Sequence, residues 1–346
     1  MVATPRPNLY RCKATCRAYA NIAFVKYWGV VDANLNLPAN GSLSMTLSHA
    51  HATTTVAWTD GPPAWETDIV VIDGKEQSGA VYRRTVSHLD RIRTAMGVNW
   101  PARVESRNSF PASAGIASSA SGFCALTVAA CQALAAGGQH DVPDRLHQAR
   151  LARRASGSAC RSFQGGFVEW SAGGDDSTSV ACQVAGPDHW PLYDVVAVLD
   201  AGPKSVSSHD GHRLAATSPL QKERVRHAQS HLNAARSAIH ARDLKTLGAI
   251  SERDAMLMHA VMVSSEPPLL FLSARSVALM RQIRDWRLQE GLEVYFTVDA
   301  GPNLHVLCNE ADVGEVSHRL ARGPSVQDII VNGPGPAPEL RNSHLF

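Results

Sequence analysis

Apolar and polar positions along the chain follow two different periods. Thr53–Trp58 (TTTVAW) and Asp68–Ile72 (DIVVI) are short, β-branched runs of the kind that form strands. From Val81 to Met96 the apolar positions Val86, Leu89, Ile92 and Met96 recur at helical spacing, which predicts a helix with one buried face. Farther on, Tyr193–Leu199 is again strand-like, whereas Pro219–Leu247 and Leu269–Gly291 read as amphipathic helices with Arg and His on their outer faces. Leu292–Val298 (LEVYFTV) and Leu304–Cys308 (LHVLC) read as paired strands around the turn AGPN. The pattern is α+β. Turn-forming clusters, SAGGDDSTSV and AGPDHWP, precede Tyr193 and place a division into two lobes, 1–186 and 187–346.

Length agrees with two lobes, because 346 residues exceed the roughly 250–300 at which one hydrophobic core stops growing. With 45% hydrophobic and 18% charged residues the chain lies in the globular range. Lys+Arg total 33 against 31 Asp+Glu, a net charge of +2, which gives no support to nucleic acid or an anionic membrane as partner. The cysteines number seven, with no Cys-x-x-Cys pair, which fits reduced thiols better than a disulfide framework; Cys12 and Cys16 lack a second pair to complete a zinc site. The first residues, MVATPRPNLYRCKATCRAY, lack the apolar core of a secretory signal, so a cytoplasmic location is expected. No charge occurs from Asn108 to Gln139, but the continuously apolar part, Phe123–Ala136, falls short of the ~20 residues a bilayer requires. His227 and His231 stand one helical turn apart, yet no HExxH pattern surrounds them, and the pair reads as a solvated helix face.

The segment Pro111-Ala-Ser-Ala-Gly-Ile-Ala-Ser-Ser-Ala-Ser121 runs directly into an apolar helix. Small residues allow a ligand close to the backbone, and the free N–H groups of a first helical turn suit phosphate oxygens. Ser113, Gly115, Ile116, Ala117, Ser118 and Ser119 are therefore candidate phosphate-binding residues, and the resemblance described below makes them candidates for binding ATP. Composition alone serves equally well a helix entry packed tightly against a neighbour. Neither a Walker loop nor a dinucleotide fingerprint is present.

This loop resembles the phosphate loop of the superfamily that includes galactokinase, homoserine kinase, mevalonate kinase and phosphomevalonate kinase, the GHMP kinases. Three more segments narrow the resemblance. They are Asn21-Ile-Ala-Phe-Val-Lys-Tyr-Trp-Gly29 with Asn36-Leu-Pro38 and Ser42; Ser156-Gly-Ser-Ala-Cys-Arg161 with Gly165-Gly-Phe-Val-Glu-Trp170; and Tyr295-Phe-Thr-Val-Asp-Ala-Gly-Pro-Asn303. Together they are similar to the mevalonate diphosphate decarboxylase family. The resemblance implies a lobe like ribosomal S5 domain 2 followed by a ferredoxin-like lobe, ATP with Mg2+ in the cleft between them, a phosphorylated mevalonate as substrate, and a homodimer. It implies phosphorylation of the C3 hydroxyl, then loss of phosphate and CO2. By the same resemblance Asp299, Lys26 and Arg161 are the catalytic positions, while Tyr27, Asn36, Arg84, Ser156, Ser158, Ser208 and His209 contact substrate. It leaves the metal ligands unassigned. An Asp beside Gly-Pro is otherwise an ordinary turn former, and Lys26 and Arg161 could otherwise be ion-pair partners.

The chain departs from the family pattern at three places. Val30 stands where the family has a second lysine after Lys-Tyr-Trp-Gly, His209 stands where many bacterial members have arginine, and Ala112 replaces the threonine after the loop proline. A diphosphate carries about one more charge than a monophosphate, and a charge-assisted hydrogen bond contributes roughly 1.5–3 kcal/mol. The expectation is a preference for mevalonate 5-phosphate, giving isopentenyl phosphate. The alternatives are mevalonate 5-diphosphate as substrate, or a 3-kinase that does not decarboxylate.

Overall fold

The computed structural model describes residues 12–59, 66–110, 118–138, 140–200, 202 and 206–346. The order of elements is β1 (Cys12–Val25), β2 (Val30–Asp32), β3 (Leu37–Pro38), β4 (Ser42–Trp58), β5 (Ile69–Ile72), β6 (Lys75–Glu76), α1 (Gly79–Met96), β7 (Ala102–Asn108), α2 (Ser118–Ala136), α3 (Arg145–Ala155), β8 (Phe167–Trp170) and β9 (Ala181–Ala185). There follow β10 (Leu192–Val198), α4 (Ser208–Leu214), α5 (Gln221–Ala241), α6 (Leu244–Val263), α7 (Ala274–Glu290), β11 (Val294–Val298), β12 (Leu304–Asn309), α8 (Val313–Ala321), β13 (Asp328–Asn332) and β14 (Glu339–Arg341). One sheet has the order β14-β1-β4-β7-β5-β6, with β8 on β4 and β9 on β8; a second is β11-β12-β10-β13. The first sheet's last strand before the changeover ends at Ala185 and the second sheet begins at Leu192. β14 then returns to pair antiparallel with β1, so residues 339–341, assigned by sequence to the second lobe, belong to the first sheet.

Strand β1 shows how one strand serves two cores. Cys12, Ala14, Cys16 and Ala18 pack against apolar residues of α1 and α2, whereas Ala20, Ile22 and Phe24 pack with Leu232, Ile239, Leu247 and Leu307 of the second lobe. All seven are even-numbered positions. The register with β4 shifts between Tyr19 and Asn21, and such an irregularity turns the following side chains to the opposite face. Helix α2 lies in the first core with twelve buried residues, including Cys124, Leu126, Cys131 and Leu134. Its 19 residues are long and apolar enough to cross a membrane, but most of them are buried in this core.

The strands expected at Asp68–Ile72, Tyr193–Leu199 and on both sides of AGPN are present as β5, β10, β11 and β12, and the helix from Val81 is α1. Two expectations need correction. The single helix read over Pro219–Leu247 is broken: Arg242 adopts a left-handed φ of 56° and Asp243 caps a new helix by accepting from the Thr246 N–H. The helix read from Leu269 begins at Ala274, where Ser273 and Ser276 form a reciprocal capping box.

Candidate active site

Strand β1 ends at Val25, and the next four residues, Lys26–Gly29, leave the sheet before β2. Their backbone polar groups have lost the ladder and must find other partners. The second lobe supplies most of them, and Asn40 of the first lobe another. The Lys26 N–H donates to Asp254 Oδ1 at 2.7 Å, and the Lys26 carbonyl accepts from Arg224 Nη2 at 2.7 Å and Asn40 Nδ2 at 2.9 Å. The Trp28 carbonyl accepts from Gln221, and the Gly29 N–H donates to His212 Nδ1 at 3.1 Å. Gly29 has φ +94°, and a side chain there would collide with Gln221.

Held in this way, the Lys26 ammonium reaches across to Asp299, at the end of β11, with Nζ and Oδ1 2.6 Å apart. The lysine side chain is 1% exposed and the carboxylate 28%, so the pair presents an oxygen-bearing edge to the cavity. Burial pulls the lysine below its ordinary pKa, an effect that Asp299 and Asp254 only partly offset. Burial pushes the Asp299 carboxyl up, but Lys26, His305 and Arg161 outweigh it, and the group lies below the usual carboxylate range. Asp299 is therefore ionised near neutral pH, and its charge beside Lys26 favours the ammonium form of the lysine.

Arg161 sits in the 3-10 turn Gly157–Phe163, buried among neutral partners. Nε and Nη2 donate to Asn21 Oδ1 at 3.1 and 3.0 Å, and Nη1 donates to Ser42 Oγ at 2.6 Å. Among the described residues it makes no ion pair, so the bidentate fork carries a positive charge that a substrate anion can neutralise.

These groups open onto a cavity of about 550 Å3, within the range of small-molecule sites. Of the residues proposed from sequence, Lys26, Tyr27, Asn36, Arg84, Ser118, Ser119, Ser156, Ser158, Arg161, Ser208, His209 and Asp299 all line it. Ser113, Gly115, Ile116 and Ala117, and with them most of the candidate phosphate loop, lie outside the described residues. Ser119 at the start of α2 contacts Ser156 Oγ at 3.1 Å. Arg84 faces the cavity but already donates through Nε and Nη2 to the Ala155 carbonyl. Asn36, with φ 49°, donates to the carbonyls of Arg153 and Arg154, which makes it a brace of the wall. Tyr27 stacks on His212 at 4.0 Å between ring centroids and packs against Gly157, where a Cβ would lie 2.6 Å from its ring. Burial, then Arg84, lowers the His209 pKa, so this imidazole is neutral at pH 7. Val30, in β2, does not line the cavity.

Sequence reading did not find His212, Ser207 or Met258, which line the cavity, nor Asp254, Arg224 and Asn40 behind Lys26. The only signal for His212 was its place three residues after His209. His231 is a correction: it faces inward and contacts Asp254 Oδ2 through Nδ1 at 2.9 Å, while His227 remains exposed.

An apolar helix on a mixed sheet, a second α+β lobe and a cavity lined from both are the architecture of the GHMP kinase superfamily, and the comparisons with known proteins assign the chain to it. Residues 18–181 match the Diphosphomevalonate decarboxylase-like N-terminal domain family and residues 194–332 the Mevalonate 5-diphosphate decarboxylase C-terminal domain family. Diphosphomevalonate decarboxylase mvd1 of Aspergillus fumigatus is 35% identical over 94% of this chain and 84% of its own length. A structure described as MDDEF in complex with MVAPP, AMPPCP and Magnesium superposes with a TM-score of 0.88 at 33% identity, covering 96% of this chain and 99% of that one. Mevalonate diphosphate decarboxylase from Staphylococcus aureus gives 0.87 at 33% identity, over 95% and 98%. The chain belongs to the mevalonate diphosphate decarboxylase family, and it is an ATP-dependent decarboxylase of that type.

Proposed function

We propose that this enzyme decarboxylates a mevalonate carrying a 5-phosphoryl group, and that the Lys26–Asp299 pair at the base of the cavity is the observation that carries the reading. Asp299 accepts a hydrogen bond from the C3 hydroxyl and orients its oxygen toward the ATP γ-phosphorus. With a carboxyl held below its usual pKa, Asp299 is a weak base; a loose phosphoryl-transfer transition state loses the nucleophile's proton late, so orientation matters more than early deprotonation. Lys26 faces the charge that develops on the transferring group. Arg161 holds the C1 carboxylate, fixing the C1–C2 bond for cleavage. When the C3–O bond breaks with its electron pair leaving on phosphate, the C1–C2 pair becomes the C2=C3 π bond and CO2 departs.

Among the described residues no group of three or more His, Cys, Asp or Glu could hold a resident metal. One cavity carboxylate and the hydroxyls of Ser118 and Ser119 do fit a magnesium ion that arrives on the nucleotide and keeps water and phosphate ligands. Such an ion supplies neutralisation of phosphate charge.

For the 5-phosphoryl end we propose that the monophosphate is preferred. Val30 carries no charge, His209 is neutral at pH 7, and Arg84 is partly committed to a backbone carbonyl. The diphosphate is the second reading, and the names of the relatives favour it over the first. ATP-dependent CO2 release with each substrate decides between them. A kcat/KM at least about tenfold higher for the monophosphate, equivalent to ~1.4 kcal/mol at the transition state, supports the preference, and a higher value for the diphosphate removes it. Val30→Lys is expected to shift the ratio toward the diphosphate; an unchanged ratio means that position 30 has no part in the choice.

A further inference from the structure

The Lys26 backbone is held by a set of buried polar groups on the side remote from the cavity. Asp254, in α6, is 1% exposed, and so is the Arg224 side chain beside it. Asp254 Oδ1 accepts from the Lys26 N–H at 2.7 Å and lies 3.4 Å from Arg224 Nη2; Oδ2 pairs with His231 Nδ1 at 2.9 Å. Arg224 in turn reaches Asn40 Oδ1 at 3.0 Å through Nη1, and both residues donate to the Lys26 carbonyl. Both backbone polar groups of one residue of the first lobe are thus satisfied by side chains, and the buried charges among them come from α5 and α6 of the second. A hub of this kind has a single low-energy arrangement, because displacement of any member leaves a buried charge or amide unpaired.

We infer that Asp254 is a positioning residue: through its hydrogen bond to the Lys26 backbone and its link to Arg224 and His231, it fixes where the Lys26 ammonium stands relative to Asp299 and ties that position to the seating of one lobe on the other. The inference rests on the reading that Lys26 serves the phosphoryl transfer. Asp254 does not line the cavity, so it acts through the lysine. Its charge adds a second effect. The groups that bear on Lys26 are Asp299 and Asp254, which favour the ammonium, and Arg161, which opposes it; His259 nearby is held to about 4 and carries no charge at alkaline pH, and Arg224 contacts the Lys26 carbonyl and neutralises part of the Asp254 charge. Removing the Asp254 charge lowers the lysine pKa further, so loss of activity on the alkaline side begins at a lower pH.

The test uses the full chain and compares Asp254→Asn, Lys26→Met and the double variant, with thermal midpoints recorded for each. Asp254→Asn is expected to lower kcat by about thirtyfold with KM within about threefold, and to move the alkaline limb of the kcat profile to lower pH. Lys26→Met is expected to lower kcat by about a thousandfold or more, and adding Asp254→Asn to it to change little further, since a positioning residue has no effect once its target is gone. Multiplied losses in the double variant, or an alkaline limb that does not move, overturn the inference while leaving the reading of Lys26 intact. Lys26→Met with more than about a tenth of the parent kcat removes that reading, and the inference with it. If Asp254→Asn does not fold, Asn40→Ser takes its place in the cycle, because it deletes one donor to the Lys26 carbonyl without changing charge; its kcat loss must then vanish in the Lys26→Met background, and persistence overturns the inference.

Discussion

In the proposed reaction Asp299 meets two demands that pull against each other: accepting a hydrogen bond from an alcohol, and remaining paired with a buried lysine 2.6 Å away. In the pair each group favours the charged form of the other. Asp299→Asn preserves shape but removes the charge, so turnover is expected to fall by more than about a hundredfold while ATP binding stays measurable by titration calorimetry. Activity within about tenfold of the parent takes the aspartate out of the mechanism. The depressed carboxyl stays ionised until the pH drops below the ordinary Asp value, and the depressed lysine loses its proton below the ordinary Lys value. A kcat profile is thus expected to have its acid limb lower than an isolated carboxylate gives, and its alkaline limb lower than an isolated lysine gives. At this scale Lys26, Arg161 and Asp299 were legible because each lies in a short local motif. Asp254 was not, since its contact with Lys26 spans 228 residues and no local pattern marks it.

Among the elements, the turn Gly157–Phe163 packs tightly against Tyr27 in the cavity wall. Gly157→Ala places a methyl against the Tyr27 ring, which also stacks on His212 and meets Trp170 edge-on, so the ring has little room to yield. The expected result is a KM for the phosphorylated substrate raised by about tenfold or more with a thermal midpoint lowered by a few degrees; an unchanged KM means the tyrosine does not shape the substrate site. The strands around AGPN were readable because β-branched and aromatic residues flank an unambiguous turn. The break between α5 and α6 was not, because Arg242 ends a helix in a left-handed conformation that nothing in its residue type announces. β1 escaped as a strand for a related reason: it is buried on both faces, and its register shift interrupts the alternation that would have marked it.

For the whole molecule, the two lobes share a core along β1 and β4, and several histidines are enclosed without charge. Burial lowers His88 and His212 to about 3 and His259 to about 4. These groups stay neutral in the folded chain but take up protons in the unfolded chain once the pH drops below about 6.5. The unfolded state then binds more protons, so stability falls as pH decreases from about 6.5 toward 4, by about 1.4 kcal/mol per pH unit for each group fully in that window. Asp254 and Asp299, both depressed, extend the loss to lower pH. Denaturant unfolding at pH 7.5 and 5 measures this directly, and equal stabilities contradict it. The two-lobed α+β plan was legible from length and alternating periods; the return of β14 to the first sheet was not, because a three-residue strand on an edge carries almost no pattern.

In the proposed reaction, phosphoryl transfer at this site leads on to loss of CO2. ADP and CO2 measured together in one reaction, with mevalonate 5-phosphate or its diphosphate as substrate, show whether it does. The two products are expected in equal amounts at all times; ADP formed without CO2 would contradict the proposal and leave a kinase in its place.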